Sequence, residues 1–252
     1  MSLFLLLVAY GNANPVETTV VTYIDNSYTV VTIDLDQAQM DLVGQADPSL
    51  RDLESIHTAL EKDKRRLVAA LHAGMFHTYD DPVGLHIESG VEYSGLDKSD
   101  AQGNFYLKPN GVFVIDSKGA RVQATDDYNA QVGEVHLATQ SGPMLLLNGE
   151  VHPAFNPKSE SKYVRGGVCA SDSKTVHLVQ SYAKVRLHNF ATLFRDKLGC
   201  RDALYLDGAV ARIWTEQEGP PPTASEYCGV LVASVPQSPP KAEDEGDKVE
   251  QD

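Results

Sequence analysis

Ala138-Thr139-Gln140-Ser141-Gly142-Pro143-Met144-Leu145 is the stretch on which the fold turns, together with the later run Ala203-Leu204-Tyr205-Leu206-Asp207-Gly208. Each is an apolar run that ends in polar residues and a glycine. A buried strand that delivers a side chain to a cleft has this pattern, because the core requires apolar residues along the strand and the sheet end does not.

Outward from these two runs the chain reads mostly as further strands. Thr18–Ile24 and Tyr28–Leu35, rich in Val, Thr, Ile and Tyr, flank Asp25-Asn26-Ser27 and predict a hairpin. Leu67–Leu71 is wholly apolar and predicts a buried strand. Strand-like pieces also stand at Gly84–Tyr93, Asn104–Leu107, Gly111–Ile115, Glu134–Ala138, Met144–Val151, Tyr163–Cys169, Thr175–Ser181 and Cys228–Val235. Two helices are expected. Leu50–Arg66 repeats Leu50, Leu53, Ile56 and Leu60 near helical spacing. The second has Asn189 as cap, Phe190, Leu193, Phe194 and Leu198 on one face, and Gly199 at its end. Few helices among many strands give an α+β class: a single compact domain over residues 15–236, built on strand-rich mixed sheets.

The chain of 252 residues is 42% hydrophobic and 22% charged, enough for a sizeable core. Its net charge of −14 argues against a basic nucleic-acid or anionic-membrane surface. Leu3–Tyr10 followed by Gly11-Asn12-Ala13 reads as the apolar core and cleavage site of an export signal, although no Lys or Arg precedes it; the other reading is a first strand. Residues 1–14 are therefore expected to be a trimmed signal, and the protein extracytoplasmic. No stretch is long enough to span a bilayer. Residues 237–252, acidic and almost free of large apolar side chains, predict a solvated tail. Cys169, Cys200 and Cys228 form no framework; three buried free thiols are expected over one bridge and a free thiol.

The candidate site residues stand at strand ends. Asp207 follows Leu-Tyr-Leu and precedes Gly208, which lets the backbone turn. A carboxylate there suits a base, nucleophile or metal ligand, or else an Asp-Gly turn. Arg165 with Gly166 and Gly167 offers a planar cation beside exposed N–H groups, fit for an anion or for a salt bridge. Gln140, Ser141 and Gly142 fit a ligand contact or a tight turn, but not a Gly-x-Ser-x-Gly elbow. His72, beside Ala73-Gly74, is the best-placed histidine; His77 and His86 read as ordinary polar groups. Histidine spacing matches no zinc motif and no nucleotide loop is present, so no cofactor is assigned, although His72 with Asp207 could ligate a divalent cation.

The order of phrases carries a resemblance. Ala-Gly-Met-Phe (73–76), Pro-Val-Gly-Leu (82–85), Gly-Asn-Phe-Tyr-Leu-Lys-Pro-Asn-Gly-Val-Phe (103–113), residues 138–145, Asn148-Gly149, Arg165-Gly166-Gly167-Val168, residues 190–200 and residues 203–208 follow one another as in the phosphodiester glycosidase family. The chain resembles that family over roughly Thr18–Ala233. The resemblance implies a hydrolase of sugar-1-phosphodiesters, small molecules or glycopolymers. Its polar cluster maps onto His72, Ser141, Arg165 and Asp207, with Arg165 holding phosphate and Asp207 acting as base, nucleophile or charge stabiliser. His72 stands where Asn is usual, Ala211 where Ser is usual, and Gly166 and Cys169 replace Asn and Gly. These departures leave a second expectation, an inactive carbohydrate- or phosphate-binding module.

Overall fold

The computed structural model describes residues 14–78, 81–130, 134–208, 212–222 and 227–237. The expected export segment and acidic tail fall almost wholly outside them, as does Ala211. Three sheets and a two-stranded pair form the body. Sheet I has the order Val16–Tyr23, Asn26–Asp34, Thr175–Ser181, Gly166–Ala170, Ala203–Asp207, Met144–Leu147, Glu150–Val151. Sheet II runs Gly119–Ala124, Gly111–Asp116, Val135–Ser141, His86–Glu88, Val91–Ser94. Sheet III runs Ile213–Thr215, Arg65–His72, Val230–Pro236, Gln39–Val43. The fold is α+β and strand-rich, but every described pairing within these sheets is antiparallel, where mixed sheets were expected.

One interior cluster joins all three sheets: Val31, Leu178 and Leu204 from sheet I, Phe113 and Leu137 from sheet II, Leu71 and Leu231 from sheet III. Helix α1 (Leu53–Lys62) packs on sheet III, setting Leu53 and Ile56 against Trp214 and Val230. Helix α2 (Leu187–Asp196) covers the outer face of sheet I with Phe190, Leu193 and Phe194. Each such fully buried side chain contributes about 2 kcal/mol by leaving water.

Several boundaries differ from expectation for local reasons. Helix α1 starts at Leu53 because Asp52 caps it, accepting from the Ser55 amide at 2.8 Å. It ends before Lys64, whose φ of 56° leaves the helical region, so the strand begins at Arg65. Helix α2 begins two residues before Asn189, with the Phe190 amide donating to Arg186 O at 3.0 Å. The first hairpin turns on Ile24 and Asp25, both at positive φ, and Asn26 already pairs with Tyr23. Ser89-Gly90 and Asn148-Gly149, all at positive φ, break two expected strands into hairpins. Asn104–Leu107 is not a strand.

The cysteine expectation is overturned. Cys169 and Cys200 form a disulfide, and Cys228 is buried outside that bridge. Cys169 lies on the α2 side of sheet I, and the chain leaving α2 at Gly199 brings Cys200 back over it. Among the described residues no helix is long and apolar enough to cross a membrane.

Candidate active site

The site begins with a fault in one ladder. Along Gly166–Ala170, Val168 pairs with Leu204 and Gly167 with Tyr205; the register then shifts, so Gly166 faces Asp207 and Leu206 is the extra residue. Simple alternation would send Asp207 the way of Tyr205, into the cluster under α2. The bulge re-aims it. Asp207 instead joins the row Thr29–Gln180–Gly166, two residues from the interior row Val31–Leu178–Val168–Leu204. The carboxylate thus belongs to the inner face of sheet I. The Gly208 amide donates to its Oδ1, and a Cβ on Gly208 would collide with the Tyr205 hydroxyl and meet Val164 O at 2.7 Å.

Sheets II and III each bring one further residue to this end. His72 closes Arg65–His72 and is buried between Phe76 and Tyr227, with ring centroids 5.6 and 6.1 Å away. Burial pushes its pKa down, and the nearby Asp207 carboxylate opposes that only in part. The imidazole is therefore neutral near pH 7, and among the described residues its Nδ1 meets no hydrogen-bond partner. Ser141, at the end of Val135–Ser141, is fully buried, and its Oγ donates to Leu206 O at 3.0 Å. That bond ties sheet II to the bulged residue itself. Of the residues foreseen for the site, His72, Ser141, Asp207 and Gly208 are brought together here.

Gln140 and Gly142 serve the scaffold. The Gln140 amide accepts from the Leu85 and Asp97 amides at 3.0 and 2.9 Å, and donates to Asp97 O and Thr125 Oγ1. It is a buried bracket for two loops and offers nothing to a cleft. Gln140→Ala is expected to lower stability by about 3 kcal/mol in urea denaturation, since it strands several buried polar groups; a change within about 0.5 kcal/mol would contradict this bracket role. Gly142 is small because a Cβ would meet Phe105 O at 2.5 Å. Gly167 likewise admits α2, where a Cβ would sit 3.1 Å from Phe190 and 3.2 Å from Phe194.

Arg165 departs most from expectation. Its chain partner is Ser181, and it shares the outer face of sheet I with Gly167 and Tyr205. Its guanidinium lies between the rings of Tyr163 and Tyr205, 5.6 and 5.5 Å from their centroids, and Nε donates to Val185 O at 2.9 Å. It borders a cavity of about 90 Å³ with Phe155, Ser159, Ser161, Leu187 and His188. No carboxylate among the described residues forms an ion pair with it, and burial lowers its pKa against the help of Tyr205. Tyr205, whose phenol is pushed up to about 12, chiefly by burial, feels both Arg165 and Asp207. Arg165 and Asp207 therefore stand on opposite faces at the same end of sheet I, linked through a phenol, and do not converge directly on one anion.

Tyr205 and Gln180 are the residues that sequence reasoning missed; only the ladder register reveals them. His86 is an ordinary structural group, as expected: it bonds Glu88 at 2.7 Å, and Glu88 accepts from the Gln45 and Ala46 amides. Among the described residues no group of three or more His, Cys, Asp or Glu gathers as a metal would require.

The fold thus sets a buried histidine within electrostatic reach of an aspartate re-aimed by a bulge. Residues 65–214 match the phosphodiester glycosidase family, and the chain belongs to it. The chain is also similar to YigE, an uncharacterised protein of Escherichia coli (strain K12), with 30% identity over 145 residues. That match covers 58% of this chain and 57% of YigE.

Among solved structures, the fold is similar to the zebrafish N-acetylglucosamine-1-phosphodiester alpha-N-acetylglucosaminidase catalytic domain auto-inhibited by its pro-peptide. The TM-score is 0.59 at 15% identity, over 91% of this chain and 86% of that one. A protein of Burkholderia pseudomallei K96243 described as exported matches with a TM-score of 0.53 at 12% identity, over 84% of this chain and 74% of that one.

Proposed function

We propose that the protein hydrolyses sugar-1-phosphodiesters, and that Asp207 and His72 carry the reaction. The observation that supports this most is the bulge that turns Asp207 away from α2, with the His72 imidazole within its electrostatic reach. In the proposed step, water attacks the anomeric carbon, and the bond from that carbon to the bridging oxygen breaks. The phosphate monoester leaves as an anion with that oxygen, so no general acid is required; an ordinary glycosidase needs two carboxylates for the same task. Asp207 stabilises the positive charge that develops on the sugar. Neutral His72 takes the proton from water. Arg165 acts through Tyr205, holding positive potential at the strand end where the anionic substrate arrives. A required divalent cation would show as loss of turnover in EDTA.

The Cys169–Cys200 bridge supports an oxidising, extracytoplasmic setting. Turnover of a panel of sugar-1-phosphodiesters in ¹⁸O-labelled water tests the reaction. The label is expected in the sugar; label in the phosphate would overturn attack at carbon. Tight binding of the panel without turnover would favour the binding-module reading instead.

A pH dependence follows from His72. Its folded pKa lies below the ordinary 6.5, so the unfolded chain takes up its proton first as pH falls. Its contribution to stability is complete above 6.5 and is lost as pH falls through the lowered folded value. His152 and His177 shift the same way through burial, whereas His136, bonded to Asp41, shifts up and opposes them. The urea midpoint is expected to fall between about pH 7 and pH 5, and His72→Asn to remove part of that fall. An unchanged pH slope in His72→Asn would refute the buried neutral imidazole.

A further inference from the structure

The row that carries Asp207 continues into a cleft. Thr29 and Gln180, its cross-strand neighbours beyond Gly166, line a cleft of about 260 Å³ together with Val164, Tyr182, Arg212 and Glu218. Its floor is the inner face of sheet I, and its far wall is the start of Ile213–Thr215 in sheet III. Gln180 Oε1 accepts from the Ile213 amide at 3.0 Å, which fixes the spacing of the two walls. Ile213 pairs with Leu71, the residue before His72. Neither Asp207 nor His72 lines the cleft; it adjoins the Asp207 row through Gln180 and Gly166, and the strand of His72 through Ile213.

Its rim holds an unusual side chain. Tyr182 is 63% exposed, the most exposed of the protein's large hydrophobic residues among those described. Its backbone is nonetheless anchored: its amide donates to Ser27 O at 3.0 Å, and the neighbouring Ser181 Oγ donates to Ala183 O at 2.8 Å. An aromatic face displayed on an anchored backbone loses little entropy when a ligand lands on it. Opposite, Arg212 and Glu218 pair loosely at 3.9 Å, and both remain well exposed. An aromatic platform, a planar amide and a planar cation–carboxylate pair are the chemistry that recognises a pyranose: apolar C–H groups on the ring face, hydroxyls on the edge.

We infer that this cleft is the sugar subsite, that Tyr182 stacks on the pyranose of the substrate, and that Tyr182 sets specificity rather than performing chemistry. The inference rests on the hydrolase reading above, because it places the sugar next to Asp207.

Steady-state kinetics on a sugar-1-phosphodiester test it. Tyr182→Ala is expected to raise KM about tenfold while kcat stays within about threefold, and Tyr182→Phe to stay within about twofold of wild type, since stacking uses the ring and not the hydroxyl. Tyr93→Ala, which removes an exposed tyrosine from sheet II, serves as control. An unchanged KM in Tyr182→Ala overturns the inference while leaving the hydrolase reading intact. If wild type turns over nothing, the hydrolase reading fails, and titration by NMR with N-acetylglucosamine 1-phosphate and glucose 1-phosphate decides the subsite separately. Binding weakened about tenfold in Tyr182→Ala supports it; equal binding in both proteins, or none in either, overturns it.

Discussion

Asp207→Asn is expected to lower kcat/KM on a sugar-1-phosphodiester by about 10³-fold or more, equivalent to about 4 kcal/mol of transition-state stabilisation. The substitution preserves size and shape, and an amide oxygen can still accept from the Gly208 amide as the carboxylate does. The ladder that places the residue depends on backbone pairing between Gly166 and Asp207, which the side chain does not enter. The melting temperature is therefore expected to stay within about 2 °C of wild type, so that the lost activity reports charge and not unfolding. A variant that keeps more than about a tenth of wild-type turnover would remove Asp207 from the reaction.

Loss of the Cys169–Cys200 bridge is expected to be the largest single effect on stability. The bond closes a loop with a sequence separation of 31 and clamps the end of α2 to the strand beneath it. Releasing a loop of that length restores unfolded-state entropy worth about 3–4 kcal/mol. For a chain of this size that lowers the melting temperature by about 10 °C. The Cys169→Ser, Cys200→Ser double variant, followed by circular dichroism, measures it. A shift below about 2 °C would show that packing under Phe190 and Phe194 holds the helix without the bridge.

Much of the scaffold was legible in the sequence because buried strands demand uninterrupted apolar runs. Leu67–Leu71 and Ala203–Leu206 satisfy that demand and lie in strands. Gln39–Val43 and Ile213–Thr215 escaped notice because the first carries Gln39 and Asp41 on its open side and the second is only three residues long. At the site, His72, Ser141 and Asp207 could be read as strand-end polar groups.

The face each residue takes could not be read that way. A single register shift decides it for Asp207, and cross-strand parity decides it for Arg165, whose neighbouring glycines suggested an anion grip. Gln140 was misjudged for a similar reason. A polar side chain at a strand end looks the same in sequence whether it meets a ligand or the Leu85 and Asp97 amides. The cysteine pair was illegible because nothing local in the chain shows that α2 returns Cys200 to Cys169.

His72, Ser141 and Asp207 each reach the site from a different sheet. A fragment that lacks any one of the three sheets cannot hold the site on its own. The proposed activity is therefore expected to emerge late in folding, after the most distant ladders have registered, because pairings between remote residues form slowly. Recovery of turnover after dilution from denaturant would therefore lag behind recovery of strand signal, and a folding intermediate released too early would carry no activity to misplace.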